Sequence, residues 1–145
     1  MAAKKATQLD ASSAGTLFLD SQGVSLLVTT GQEGRDVQLL VAQAQARGQL
    51  VATAGVVLVE AHRPGGKAST ARWKLAGVKV IDTDPEIINE ARALADRTGI
   101  HGTKYTIDAI IAATAKIRCP RPVTLVTTDD DMKAFAEDFA EIREV

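Results

Sequence analysis

The sequence has very little cysteine, histidine or aromatic side chain. Cys119 is its one cysteine, and His62 and His101 are its only histidines. An intramolecular disulfide and a multi-cysteine zinc or iron–sulfur site are therefore excluded, and a reducing, cytoplasmic compartment is expected. Neither histidine has a second His or Cys at ligand spacing, so we interpret both as surface or interface residues. No apolar run approaches the roughly 18 residues of a membrane span, so we expect neither membrane insertion nor secretion.

The sequence also lacks an excess of charge of either sign. Seventeen Lys and Arg face eighteen Asp and Glu, which leaves a formal charge of -1. The protein is not a polycation that binds nucleic acid through bulk charge, so any nucleic-acid site must be local. The 145 residues are 46% hydrophobic, enough for one domain with a core. Residues 1–15 are small and polar and predict a flexible leader, and residues 16–145 predict a single domain.

Common nucleotide and hydrolase motifs are absent. Arg63 to Lys67 (RPGGK) suggests a phosphate loop, but Ala68 follows the lysine where a hydroxyl is needed, and Ala61 replaces the first glycine. The sequence has no GxGxxG, GxSxG or HExxH motif, so cofactor-binding Rossmann, serine-hydrolase and zincin functions lack support.

Short apolar runs alternate with segments of helical periodicity, which predicts an α/β fold with a parallel sheet. The runs TLFLD, LVAT, VKVID and VTLVT predict strands. Stripes with helical spacing predict helices around residues 37–44, 87–95, 106–117 and 132–139. We also favour helices at Gly55 to His62 and at Ala68 to Ala76. Asp84 and Pro85 are typical of a helix start, and Gly99 of a helix end.

Four carboxylates stand out by their position relative to these elements. Asp20 follows the strand TLFL and Asp129 follows VTLVTT, so both are expected at carboxyl ends of parallel strands, where open α/β sheets place their sites. Glu60 follows VVLV, and Asp108 precedes AIIAATA. Unpaired charge is costly beside such apolar surface. We therefore expect the four to share a divalent cation.

Each acid also has a simpler interpretation. Asp20 and Asp129 could cap helices, Asp108 could favour a helix dipole, and Glu60 could pair with Arg63. Because all four acids are expected at one edge of the sheet or on its flanking helices, a shared metal site explains the set better than four separate roles.

Oxygen ligands without His or Cys suit Mg²⁺ or Mn²⁺, which can activate a water for in-line displacement at a phosphodiester. A polyanionic substrate then needs cations close to the acids. Between Glu60 and Asp82 the chain carries only basic charges, and a solvated basic face would be the plain alternative. We predict that four of these basic residues position RNA phosphates: Arg63, Lys67, Arg72 and Lys74.

Four segments together resemble the PIN domain family, in particular the short actinobacterial type related to VapC toxins. They are LFLDSQGVSLLV, VVLVEAHRPG, IDAIIAATA and LVTTDDDMKAF, in that order. The resemblance covers residues 16–145. It implies a three-layer α/β fold with a parallel sheet of about five strands flanked by helices, and a Mg²⁺- or Mn²⁺-dependent endoribonuclease activity. It also implies a homodimer and a small antitoxin protein that covers the site.

Transferred by motif, the resemblance makes Asp20, Glu60, Asp108 and Asp129 the catalytic, metal-binding acids. Thr127, or Thr128 beside it, matches the polar residue that precedes the last acid. Many relatives have another Asp one turn before the acid of the IDA motif, where this chain has Tyr105. Asp131 offers a replacement that would act through a water.

Two other functions remain open at this point. A PIN-like domain without turnover would act as an RNA-binding or protein-interaction module. A Toprim-like phosphotransfer domain would use Asp129 and Asp131 but would leave Asp20 and Asp108 without a role.

Overall fold

The computed structural model describes residues 14–60 and 75–145. Within them, five parallel strands form one sheet in the order β3-β2-β1-β4-β5. The strands are β1 (Thr16–Leu19), β2 (Leu50–Ala54), β3 (Lys79–Ile81), β4 (Val123–Val126) and β5 (Ala140–Arg143). The described helices are α1 (Ser21–Leu27), α2 (Gln32–Ala46), α3 (Gly55–Glu60), α4 (Pro85–Thr98), α5 (Thr106–Arg118) and α6 (Asp130–Ala136), with a 3-10 turn at Thr103–Tyr105. The predicted α/β fold with a parallel sheet of about five strands is confirmed.

The path of the chain explains why the sheet is buried on both faces. From β1 the chain moves outward to β2 and β3, then returns to the other side of β1 to form β4 and β5. Right-handed crossovers therefore place the helices of the two halves on opposite faces. Accordingly α1 packs on α2, while α5 packs on α4 and α6. All four residues of β1 are buried, as expected for the centre of a covered parallel sheet.

Helix α4 begins and ends where the sequence predicts. The Asp84 carboxylate accepts a hydrogen bond from the Ile87 amide at 2.9 Å, and Gly99 ends the helix with φ of 72°. Arg118 at the end of α5 pairs with Asp84 and Glu86 at 2.7 and 2.6 Å. These ion pairs hold α5 against α4 and so set the position of the helix that carries Asp108.

Helix α1 and strand β5 were not predicted from the residues. Helix α1 is only seven residues long and contains Gly23, so its propensity is weak. The glycine allows α1 to lie close to β1, because a Cβ at this position would be only 3.2 Å from the Leu19 Cβ. The last helix was expected to reach Phe139, but it ends at Ala136, and Ala140–Arg143 pairs with β4 instead. A four-residue edge strand depends on its partner strand and has little local signal.

One predicted helix cannot be compared in full. Residues 68–74 of the helix expected at Ala68 to Ala76 lie outside the described residues, and Leu75 to Gly77 form a turn. The predicted leader also falls outside them up to residue 13. Among the helices of residues 14–60 and 75–145, none is long and apolar enough to cross a membrane.

Candidate metal centre

The chain reverses its direction across the sheet between β1 and β4, and such switch points are where open α/β sheets bind ligands. Strands β1 and β4 are neighbours, with Leu19 opposite Val126. Asp20 follows β1 directly, and Asp129 follows β4 after two threonines. Both acids therefore lie at the carboxyl edge of the two adjoining strands.

Asp20 is buried, with 3% of its surface exposed. Its carboxylate caps α1 by accepting a hydrogen bond from the Gly23 amide at 2.9 Å. Burial raises the pKa of Asp20 to about 6, and repulsion from Asp129 adds to this, although hydrogen bonds from Thr127 and Gly23 act in the opposite direction. The capping interpretation and the site interpretation therefore both apply to this residue.

Thr127 connects the two strand-end acids. Its hydroxyl is fully buried, it is hydrogen-bonded to the Asp20 carboxylate, and it accepts a hydrogen bond from the Asp129 amide at 3.0 Å. Thr128 is exposed. Of the two threonines considered from the sequence, Thr127 is thus the one bonded to the acids.

Asp129 and Asp131 belong to the start of α6. The Asp129 carboxylate caps this helix and accepts a hydrogen bond from the Asp131 amide at 2.8 Å. This bond fixes the backbone of both residues, so their side chains start from a defined position.

Glu60 and Asp108 approach from helices on either side. Glu60 is the last residue of α3 and accepts a hydrogen bond from the Ser21 hydroxyl; Arg63, its alternative partner, lies outside the described residues. Asp108 is in the first turn of α5 and half-buried. Burial raises the pKa of Asp108 to about 7, with further repulsion from the neighbouring carboxylates, Asp129 first among them.

The four acids singled out in the sequence line one cavity of about 240 Å³. The other described residues around it are Ser21, Gln22, Lys104 and Asp131. The tightest group differs from the expected set of four: Asp108, Asp129 and Asp131 offer carboxylate oxygens that all lie within 4.8 Å of one another. Asp131 is therefore close enough to act directly, whereas the sequence suggested a role through a water.

Tyr105 is not part of this cavity. Its half-buried side chain packs against the hydrophobic core and lines a second cavity between α4 and α5, together with Ile88 and Ala109. The residue of the same turn that lines the acidic cavity is Lys104. The expectation that Tyr105 stands in a ligand's place is therefore wrong for its side chain. The predicted RNA-binding residues Arg63, Lys67, Arg72 and Lys74 all lie outside the described residues.

The residues present fit a hard divalent cation. Carboxylate oxygens are the ligands that Mg²⁺ and Mn²⁺ prefer, and both ions retain waters alongside a few carboxylates. Two acids have pKa values raised to about 6 and about 7, which is the effect of burial and mutual repulsion without a compensating positive charge. A cation placed among these oxygens would remove that cost.

Comparison with known proteins agrees with this fold. The family model of the PIN domain matches residues 63–138, which include Asp108, Asp129 and Asp131. The chain therefore belongs to the PIN domain family, whose members are typically metal-dependent ribonucleases.

The fold is also similar to that of a chain in the crystal structure of VapBC2 from Rickettsia felis bound to a DNA fragment from their promoter. The TM-score is 0.60 at 18% identity, over 89% of this chain and 98% of that chain. At this identity the likeness is one of fold, and it does not distinguish the actinobacterial type. None of the curated proteins matches the chain in sequence.

Proposed function

We propose that the protein is a metal-dependent endoribonuclease of the PIN/VapC toxin type, which cleaves RNA phosphodiester bonds. The observation that carries this proposal is the group of three carboxylates, Asp108, Asp129 and Asp131, within 4.8 Å of one another at the switch point of a PIN fold. Asp20 and Glu60 line the same cavity and complete the negative charge.

In this proposal Asp108, Asp129 and Asp131 hold the ion, which we propose is Mg²⁺ or Mn²⁺. When bound, such an ion supplies a water of lowered pKa and neutralises charge on the phosphate. Asp20, with Thr127 bonded to it, keeps the cavity anionic between the strand ends. Glu60, oriented by the Ser21 hydroxyl, lines the same cavity from the end of α3. It can accept a proton or orient a water.

The cleavage itself is a displacement at phosphorus. A water oxygen forms the new P–O bond while the bond to the leaving ribose oxygen breaks, the attacking water loses a proton, and the leaving oxygen gains one. The carboxylates of the cavity are the acceptors available to the first proton.

The partners follow from the same proposal. VapBC2 is named as a pair bound to DNA of their promoter, and by analogy we propose a small antitoxin protein that covers the acidic cavity. We also propose a homodimer and a cytoplasmic location, neither of which enters the argument for the metal centre.

A matched pair of variants tests the proposal. Asp129→Asn keeps an oxygen that can cap α6 but loses the charge, whereas Asp130→Asn makes the same change at a neighbour whose side chain is 94% exposed and outside the cavity. We expect the wild type and Asp130→Asn to bind Mn²⁺ in calorimetry and to cleave single-stranded RNA. Asp129→Asn should do neither while retaining its fold. RNA binding without cleavage in the wild type would favour the non-catalytic module.

A further inference from the structure

The acidic cavity has a basic residue at its edge that no motif indicated. Lys104 lies in the 3-10 turn Thr103–Tyr105, four residues before Asp108. It is the only basic residue among the described residues that line the cavity, where it faces five carboxylates. Its side chain is exposed, so it can reach a bound molecule.

Lys104 is not neutralised by the acids beside it. Lys116 and Lys133 form ion pairs at 2.8 and 2.5 Å, but no carboxylate whose position the structure describes lies within 4.0 Å of the Lys104 ammonium. Instead the ammonium lies 5.4 Å from the centre of the Tyr105 ring, a cation–π distance. Because Tyr105 packs against the core, its ring holds the lysine ammonium at the edge of the acidic cavity, out of contact with the carboxylates.

This placement has a consequence for a polyanionic ligand. Five carboxylates repel a phosphodiester, and one divalent ion does not balance their charge, so an RNA backbone needs further positive charge at the edge of the site. A lysine ammonium is a compact point charge that suits a phosphate oxygen. Since Lys104 is exposed and has no described acid in contact, it does not have to break an ion pair to bind a phosphate.

We propose that Lys104 binds a non-bridging phosphate oxygen of the RNA backbone and positions that backbone beside the three metal-binding carboxylates, Asp108, Asp129 and Asp131. The proposal rests on the ribonuclease function proposed above. It assigns to Lys104 a contact with the substrate, and to Tyr105 the role of holding that lysine in place.

The test compares Lys104→Gln and Lys104→Arg with the wild type. Arg47→Gln is the charge control, because Arg47 is exposed and follows α2 at the opposite edge of the sheet. Three properties are measured: Mn²⁺ affinity without RNA, affinity for a single-stranded RNA oligonucleotide at several salt concentrations with Ca²⁺ replacing Mn²⁺, and KM and kcat of cleavage with Mn²⁺.

We expect Lys104→Gln to weaken RNA binding and to raise KM by about tenfold, the loss expected for one charged contact. The salt slope should fall by about 0.7, the value for one phosphate contact on a single strand. Mn²⁺ affinity should not weaken. Lys104→Arg should restore most of the RNA affinity, and Arg47→Gln should match the wild type.

The outcomes separate this inference from the proposed function. If the wild type cleaves RNA and Lys104→Gln leaves KM and the salt slope unchanged, Lys104 does not contact the backbone, although the ribonuclease function stands. Tighter Mn²⁺ binding with unchanged RNA affinity would make Lys104 a counter-ion of the acids and overturn the inference. If the wild type binds RNA without cleaving it and Lys104→Gln weakens that binding, the phosphate contact is supported and the catalytic function fails. A wild type that neither binds nor cleaves RNA overturns both.

Discussion

The buried Thr127 hydroxyl is bonded to the Asp20 carboxylate at the end of β1, and it also accepts the Asp129 amide hydrogen after β4. One side chain thereby connects the carboxyl ends of the two central strands. Its hydroxyl hydrogen is available to Asp20 because the Asp129 amide uses a lone pair of the oxygen. The distance between the two acids is consequently set by rigid backbone as well as by their own side chains.

Replacing Thr127 with valine should therefore disturb both acids at once. Thr127→Val keeps the shape but leaves the Asp129 amide without its partner and removes the hydroxyl donor of Asp20, which then retains the Gly23 amide. We expect a loss of about 1–3 kcal/mol in the free energy of unfolding. Mn²⁺ affinity should fall as well. Denaturant unfolding and calorimetry measure the two effects. Thr127→Ser should restore both, and Thr128→Val is the control at an exposed neighbour; equal effects at positions 127 and 128 would contradict this role.

Removing the charge of Asp108 should stabilise the metal-free protein. The folded pKa of Asp108 is about 7, above its usual value. The contribution of this group to stability is therefore fully present below the unfolded pKa of about 4, and it is lost as pH rises from about 4 to about 7. In EDTA at pH 8, Asp108→Asn should therefore raise the free energy of unfolding by about 1–2 kcal/mol, after allowing for solvent screening of a half-buried group.

The advantage of Asp108→Asn should shrink towards pH 4.5, and thermal unfolding across that range measures it. Asp96→Asn, at an acid that is 82% exposed, is the control and should change little. A clear loss of stability in Asp108→Asn at pH 8 would show that the carboxylate makes a structural bond.

The affinity for Mn²⁺ should increase with pH, whereas the stability contribution of Asp108 decreases with pH. Protons compete with the ion for Asp20 and Asp108, whose pKa values are raised to about 6 and about 7, so Mn²⁺ affinity should rise between pH 5.5 and pH 8 and binding should release protons. Calorimetry in two buffers of different ionisation enthalpy counts those protons. An affinity that is constant from pH 5.5 to pH 8 would mean that neither acid takes part.

Tyr105→Asp should not create a better metal centre. The Tyr105 side chain lines the cavity between α4 and α5 and packs on the core, so Tyr105→Asp would lose the packing of the ring and place a carboxylate beside the core, away from the acidic cavity. We expect a loss of about 2 kcal/mol or more in stability and no increase in Mn²⁺ affinity. Tyr105→Phe keeps the packing and serves as the control. Tighter Mn²⁺ binding by Tyr105→Asp would mean that the side chain can turn towards the acids.

The sheet and most of the helices could be predicted from local patterns. Buried parallel strands such as TLFL and VTLV are continuous apolar runs, and a cap such as Asp84 acts within its own helix, so both leave a signal in adjacent residues. The carboxyl-edge position of Asp20 and Asp129 follows from the same logic. Helix α1 and strand β5 gave no such signal, because one depends on contact between Gly23 and β1 and the other on pairing with β4.

The composition of the site was decided by contacts between distant segments. The sequence was sufficient to select four acids beside apolar elements, Asp20, Glu60, Asp108 and Asp129. Their positions along the sequence do not reveal which carboxylate oxygens approach one another. The group Asp108, Asp129 and Asp131 depends on how the start of α5 packs against the start of α6, and the different surroundings of Lys104 and Tyr105 depend on the rotation of one short turn. Such relations are properties of packing between helices, and a local pattern in one segment carries no information about the orientation of another.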